Sequence, residues 1–273
     1  MKILMTLLCL ALFPAQLLAD DLRYLQSLND ASYHHVDSAV IGRGFHVYVI
    51  APAGRDNDAD KKYPTIYLLD GGSKFPLLAP YYRSLNAGEG IPDAIVVGIS
   101  YGNNNFNGGN YRGTDYTAPS SERDSWGGAE KYQKFLADEL FPLIEKSYES
   151  DAQRRIVFGQ SLGGQFVLYT ALTRPNLFWG HIANNPALHR NLPYFLAPAA
   201  EADPLRDRSY LFVGSATGDQ TRFRRPAEMW MNYWSSVEET PWELKAVDLE
   251  GHTHLSSAPA AFRQGLHWIF STK

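Results

Sequence analysis

From Gly44 onward, short apolar runs alternate with longer stretches whose apolar residues recur at helical spacing. Gly44-Phe-His-Val-Tyr-Val-Ile-Ala-Pro52 alternates apolar and polar positions and predicts a half-buried edge strand, followed by a polar turn over Gly54 to Lys62. Tyr63-Pro-Thr-Ile-Tyr-Leu-Leu-Asp70 is nearly all apolar, as a strand covered on both faces of a parallel sheet must be. Gly71-Gly72-Ser73 then opens an apolar helical stretch to about Leu85. A turn over Gly88-Glu-Gly90-Ile-Pro92 leads into a second buried strand, Ala94-Ile-Val-Val-Gly98-Ile.

Tyr101 to Trp126 breaks the rhythm: it is rich in Asn, Gly and Ser, with Phe106, Tyr111, Tyr116 and Trp126 scattered through it. A loop this long in a compact domain is more often functional than idle. A helix is predicted over Gly128 to Tyr148, with Tyr132, Phe135, Leu136, Leu140, Leu143 and Ile144 facing a core and a kink at Pro142. Ile156 to Gln160 is a strand running straight into another helix. Strands follow at Phe178 to Asn185, Tyr210 to Gly214 and Trp242 to Asp248, with helices beginning at Ala227 and running from Ala258 to Phe270. Strand and helix alternate throughout, which predicts an α/β fold with a mostly parallel, doubly wound sheet and helices on both faces. The site of such a sheet lies at the carboxyl ends of its strands.

The join between the Ile156 strand and the next helix is Gly159-Gln-Ser161-Leu-Gly163-Gly164, and this strand-to-helix context makes G-x-S-x-G a nucleophile elbow. The turn forces strand and helix together, and Gly159, Gly163 and Gly164 leave the room. A serine hydroxyl needs a base to take its proton and a group to orient that base. His252 and His254 both lie in the loop after the last strand, where the chain order serine, acid, histidine requires the base. Asp219, in the loop after the Tyr210 strand, is the candidate acid, with Glu250 as its rival. The backbone N–H groups of Leu162 and of Gly72 are the candidate oxyanion donors. Gly-His-Thr-His also suggests zinc, but no further ligands stand at the spacing zinc requires, and no metal or other cofactor is expected.

At 273 residues and 45% hydrophobic content, the chain can build one large core. Its net charge of −4 and the lack of any Lys or Arg run argue against a nucleic-acid partner. Residues 1–19 stand apart: Lys2, an apolar run broken by Pro14, then Ala15-Gln-Leu-Leu-Ala19, which predicts a secretory leader cleaved after Ala19 rather than a membrane anchor. One domain over 20–273 in the periplasm or outside the cell follows. The single cysteine, Cys9, lies in the leader, so a cysteine nucleophile and disulfides are excluded from the mature chain.

Taken together, Tyr63 to Gly71, Arg112-Gly-Thr-Asp115-Tyr-Thr-Ala-Pro119, Gly127-Gly-Ala, Gly159-Gln-Ser161-Leu-Gly-Gly, Thr173-Arg-Pro and Gly251-x-x-His254-x-Ser256 resemble the bacterial α/β-hydrolase esterases of the Putative esterase family. The likeness is to the branch that holds siderophore trilactone esterases, and it runs from about Gly44 to Phe270. The resemblance implies a Ser161, His254, Asp219 triad, and its last motif favours His254 over His252. It also implies a small-molecule ester as substrate. A catecholate trilactone would need a wide mouth, for which the Tyr101 to Trp126 loop with Arg112, and Arg224 and Arg225 near the acid, are candidate contacts. Feruloyl, acetylxylan-type or general carboxylic esters are the alternative substrates, and a catalytically inactive binding protein is the alternative of another class. After Asn185-Pro186 the chain carries Ala-Leu-His where relatives often carry Ser-Pro and then Leu-Trp.

Overall fold

The two segments predicted as buried strands before the long loop are strands β3 (Tyr63–Leu68) and β4 (Ile95–Ser100) of one sheet, and they are separated by helix α1 (Gly71–Glu89). The computed structural model describes residues 26–52, 61–103, 105 and 108–271. The predicted leader, residues 54–60 of the predicted polar turn and Phe106 lie outside the described residues. The chain divides into a unit ending at Asp30 and a unit beginning at Ala31, and all that follows concerns the second.

Among the described residues eight strands form the sheet, in the order β1-β2-β4-β3-β5-β6-β7-β8. The first two are β1 (Ser32–Ser38) and β2 (Arg43–Ile50), and both β1–β2 and β2–β4 pair antiparallel. The predicted edge strand is therefore not at the edge: β2 is covered by β1, whose Ser-Tyr-His-His-Val-Asp-Ser has too few apolar positions to announce itself. In the long loop the chain makes one short turn of helix, α2 (Arg112–Asp115). The predicted single helix over 128–148 is α3 (Ala129–Phe135) and α4 (Phe141–Tyr148) joined by a π turn over Leu136–Leu140. The irregularity sits just before Pro142, which lacks the N–H that a regular ladder would use there.

From β3 onward the strands are parallel, and each crossover needs a helix. Strand β5 (Ser150–Gln160) leads into α5 (Leu162–Thr173), β6 (Gly180–Asn184) precedes the short α6 (Leu192–Phe195), and β7 (Ser209–Ala216) leads into α7 (Thr221–Ser235). Strand β8 (Trp242–Leu249) and helix α8 (Ala258–Ser271) complete the body. Alternate strand residues point to opposite faces and both are buried. Tyr67, Val97, Val157, Leu211 and Val213 join a core with Tyr132, Phe135, Phe166 and Trp230. On the other face, Phe158 meets Phe262 of α8 edge-on at 5.6 Å.

Connections run one way from β3 to β4 and the other way from β5 to β6, so the strand order reverses between neighbouring β3 and β5. A crevice opens at the carboxyl ends of the strands where this happens. The elements predicted from the sequence converge there: the turn after β3, the elbow after β5, and the loops after β7 and β8.

Candidate active site

Ser161, between β5 and α5, has φ 60° and ψ −115°, a conformation that costs a non-glycine residue on the order of 1–3 kcal/mol. The turn around it is held from three sides. Its N–H donates to the Asn184 carbonyl at 3.0 Å, and its own carbonyl accepts from Gln165 at 2.9 Å and Ala187 at 3.0 Å. A Cβ on Gly159 would stand 2.2 Å from the Gly163 carbonyl oxygen, so only glycine lets the strand meet the helix. Gly163 is under no such demand, since a Cβ there meets nothing nearer than 3.5 Å. Helix α5 is buried along nearly its whole length, which makes the serine's support rigid.

His254 and Asp219 come from different loops and meet: Nδ1 of the imidazole lies 2.6 Å from Oδ2 of the carboxylate. Asp219 is 2% exposed at its side chain and His254 21%. The two loops are laced together by backbone. Thr217 N–H donates to Leu249 carbonyl at 3.2 Å, Gly218 N–H to His252 carbonyl at 2.9 Å, and Gly251 N–H to Thr217 Oγ1 at 3.2 Å. Phe223 of α7 lies against the His254 ring, with centroids 4.9 Å apart. The His254 carbonyl accepts from Gln160 Nε2 and, at 3.3 Å, from Asn185 Nδ2. His252 contributes its backbone to this lacing, while Glu250 is exposed at the turn after β8.

Ser161 and His254 share a cavity of about 440 Å³, with Gly72, Ser73, Lys74, Tyr101 and Asn103 among its walls. Ser161 also reaches a second cleft of about 520 Å³, where Leu162, Trp126, Arg123, Arg190 and Phe223 lie. Gly72 and Leu162 stand in the first turns of α1 and α5, where backbone N–H groups have no partner within the helix. The turn that delivers Gly72 hinges on Asp70, which has φ 55°.

Arg112 is at the site, but its guanidinium is committed. Nε and Nη2 donate to the two oxygens of Asp70 at 2.8 Å each, and Nη2 also donates to the Gln160 carbonyl at 3.2 Å. Burial works against its charge, yet the Asp70 carboxylate, joined by Tyr116 and Tyr101, holds the guanidinium above its ordinary pKa. Arg112 thus ties the turn carrying Gly72 to the residue before Ser161. Arg224 lines neither cleft: it pairs with Glu228 at 2.8 Å and Asp248 at 3.0 Å, and donates to the Ser215 carbonyl at 3.3 Å. The long loop is divided between core and mouth. Tyr116 is fully buried and the Tyr101 hydroxyl donates to Asp115 at 2.9 Å, whereas Asn103, Asn110, Tyr111 and Trp126 face the clefts.

Lys74 was not singled out from the sequence, although it stands one turn into the helix that the Gly71-Gly72 pair opens. It lines the Ser161 cavity, and burial lowers its pKa against the opposing pull of Asp70. Asn185 and Gln160 carry no sequence signal as supports of a histidine loop. Among the described residues no group of three or more His, Cys, Asp and Glu is placed to hold a metal, and no helix is long and apolar enough to cross a membrane.

A parallel sheet with an elbow serine and a paired histidine at its switch point is the architecture of α/β-hydrolases. The chain belongs to the Putative esterase family, whose model matches residues 38–264. It is 34% identical over 169 residues to the Ferri-bacillibactin esterase BesA of Bacillus subtilis, covering 56% of this chain and 57% of that protein. It is 27% identical over 173 residues to the Apo-salmochelin esterase of Escherichia coli O6:H1, covering 59% and 54%. The chain thus spans somewhat over half the length of these two relatives. The crystal structure of the BES protein from Bacillus cereus superposes with a TM-score of 0.73 at 25% identity, covering 88% of this chain and 94% of that one.

Proposed function

We propose that this protein is a serine esterase in which Ser161 is the nucleophile, His254 the general base and Asp219 the group that orients it. The observation that carries this reading is the 2.6 Å pairing of His254 with Asp219, made across two loops beside a serine held in a strained turn. With Nδ1 donating to Asp219, Nε2 is the ring nitrogen left to take the Ser161 proton as Oγ attacks the ester carbonyl carbon. The carbonyl oxygen gains the charge, and the N–H groups of Gly72 and Leu162 stabilise it by roughly 3 kcal/mol each. His254 then gives its proton to the departing alkoxide. Water repeats the sequence on the acyl-enzyme and releases the acid.

For substrate we propose an ester of a siderophore, of the multi-armed lactone type. The two relatives named above, a ferri-bacillibactin esterase and an apo-salmochelin esterase, support this, as do two clefts that meet at Ser161 and bring Lys74, Arg123, Arg190, Trp126 and Tyr111 within reach of anionic aromatic arms. The apolar leader at 1–19 supports export, to be checked by the mature N-terminus after secretion. The test of substrate class is kcat/KM for a catecholate trilactone against feruloyl and acetyl esters. Preference for the trilactone is expected. A tenfold preference for either of the others, about 1.4 kcal/mol of transition-state discrimination, transfers the protein to polysaccharide or general ester hydrolysis.

A further inference from the structure

Asn185 ends the turn after β6 with φ 43° and is 2% exposed. A buried, left-handed, non-glycine residue carries a backbone cost, and here its carboxamide binds two other loops at once. Oδ1 accepts from the Ala216 N–H at 2.7 Å, three residues before Asp219. Nδ2 donates to the His254 carbonyl at 3.3 Å and to Ser257 Oγ at 2.7 Å, just beyond His254. The Asn185 N–H itself donates to the Gly214 carbonyl at 2.8 Å, and Asn184 Nδ2 reaches the same Ser257 hydroxyl at 3.0 Å. One side chain therefore spans the loop that carries the carboxylate and the loop that carries the imidazole.

We infer that Asn185 is a positioning residue that sets the separation of the Asp219 and His254 loops, an inference that rests on the esterase reading above. It lines neither cleft, so it touches no substrate and acts only through the pair. Catalytic geometry tolerates little slack: a misplacement of about 1 Å can cost about a hundredfold in rate. The backbone lacing between Thr217, Gly218 and Gly251 fixes the outer ends of the two loops, and Asn185 fixes their inner ends, next to the sheet. Gln160, bonded to the same His254 carbonyl, adds the third side by referring the base loop to the residue before Ser161.

Asn185→Gly removes every side-chain bond while accepting the left-handed backbone at no steric cost, and Asn185→Asp keeps the shape and the acceptor but not the donor. Turnover of a short-chain nitrophenyl ester is measured per active site, counted by the nitrophenol burst, so that a loss of folded protein does not count as a loss of rate. The expected result is a fall in kcat of about 10- to 100-fold with KM within about threefold. Loosening the imidazole from its carboxylate also makes the imidazolium less stable. The acid limb of kcat/KM for Asn185→Gly is therefore expected to move to lower pH. A merely structural asparagine moves neither quantity. Folded Asn185→Gly with kcat per site within twofold of wild type and an unmoved acid limb overturns the inference. If Asn185→Gly does not fold, unchanged kcat per site in Asn185→Asp overturns it instead. A wild type that turns over no ester and gives no burst overturns the esterase reading and this inference with it, whereas an active wild type with indifferent variants overturns the inference alone.

Discussion

Replacing Arg112 with leucine strips Asp70 of its bidentate partner and the Gln160 carbonyl of a donor. The ion pair is largely shielded, with side-chain exposures of 14% and 15%, but both residues line the Ser161 cavity, so water restores only part of what is lost. Breaking a fully buried pair by removing one partner costs about 3–5 kcal/mol, which is the upper end here because Lys74 remains within electrostatic reach of the carboxylate. Asp70 also holds φ 55° at the mouth of α1, and releasing its carboxylate frees the turn that presents Gly72. In a domain of this size each kcal/mol shifts the melting temperature by about 2–4 °C, so Arg112→Leu is expected to lower Tm, by up to about 6–20 °C. Thermal unfolding followed by circular dichroism measures it, and the double variant Asp70→Asn, Arg112→Leu should recover most of the loss because no buried charge remains. An Arg112→Leu protein with unchanged Tm and a raised KM would refute this reasoning and make Arg112 a substrate contact.

Asp219→Asn keeps the shape of the carboxylate but gives the imidazole the wrong partner, and kcat is expected to fall by about 10⁴ with Tm little changed; Glu250→Gln, exposed and apart from the pair, should leave kcat within about twofold. His254→Ala should abolish turnover while His252→Ala retains it, and steady-state kinetics on one ester decides between them. His181, buried in β6 with Phe178 edge-on to its ring, has its pKa lowered by burial to about 3. Between that value and its ordinary value of about 6.5 the unfolded chain binds a proton that the folded chain refuses, so this contribution to stability is complete above about pH 6.5 and falls as pH drops. At pH 5 the deficit is about 2 kcal/mol, and comparing denaturant midpoints of wild type and His181→Leu at pH 5 and 7 should show a steeper acid loss in the wild type. Gly159→Ala should cost about 3 kcal/mol or more, since its Cβ would lie 2.2 Å from the Gly163 carbonyl oxygen, and failure to destabilise would mean the elbow can relax.

Where a single rule dominates, the fold was legible in the sequence. Tyr63 to Leu69, nearly all apolar, and Ala94 to Ile99 had to be central strands because no charge interrupts them, and the elbow had to be a strand-to-helix turn because of the strand before its glycines and the helix after them. Strand β1 was not legible, since its burial alternates but its inward positions are mostly polar: Ser32, His34 and Ser38 face in with Val36, while Tyr33, His35 and Asp37 face out. The candidate acid and base followed from loop order along the chain. Arg112 and Arg224 drew notice for one shared reason, a positive charge near a site, but Arg112 lines both clefts and Arg224 lines neither, and what each charge is paired with decides how free it is. Asp70 at 42 residues' distance and Asp248 at 24 are tertiary partners, whereas Glu228, four residues beyond Arg224, is a local one. Tyr116 was expected at the mouth and is core, because nothing local tells an aromatic residue in a loop which way to face. Asn185 is of the same kind: its partners Ala216, His254 and Ser257 lie 31 to 72 residues away in sequence.

The central claim, that Ser161 is a nucleophile activated by the His254–Asp219 pair, is tested most directly by treating the protein with diisopropyl fluorophosphate and mapping the modified peptide by mass spectrometry. A single adduct on Ser161, forming at least about a thousandfold more slowly in His254→Ala, is the predicted result. No adduct on Ser161, or one that forms equally fast without the imidazole, would contradict it.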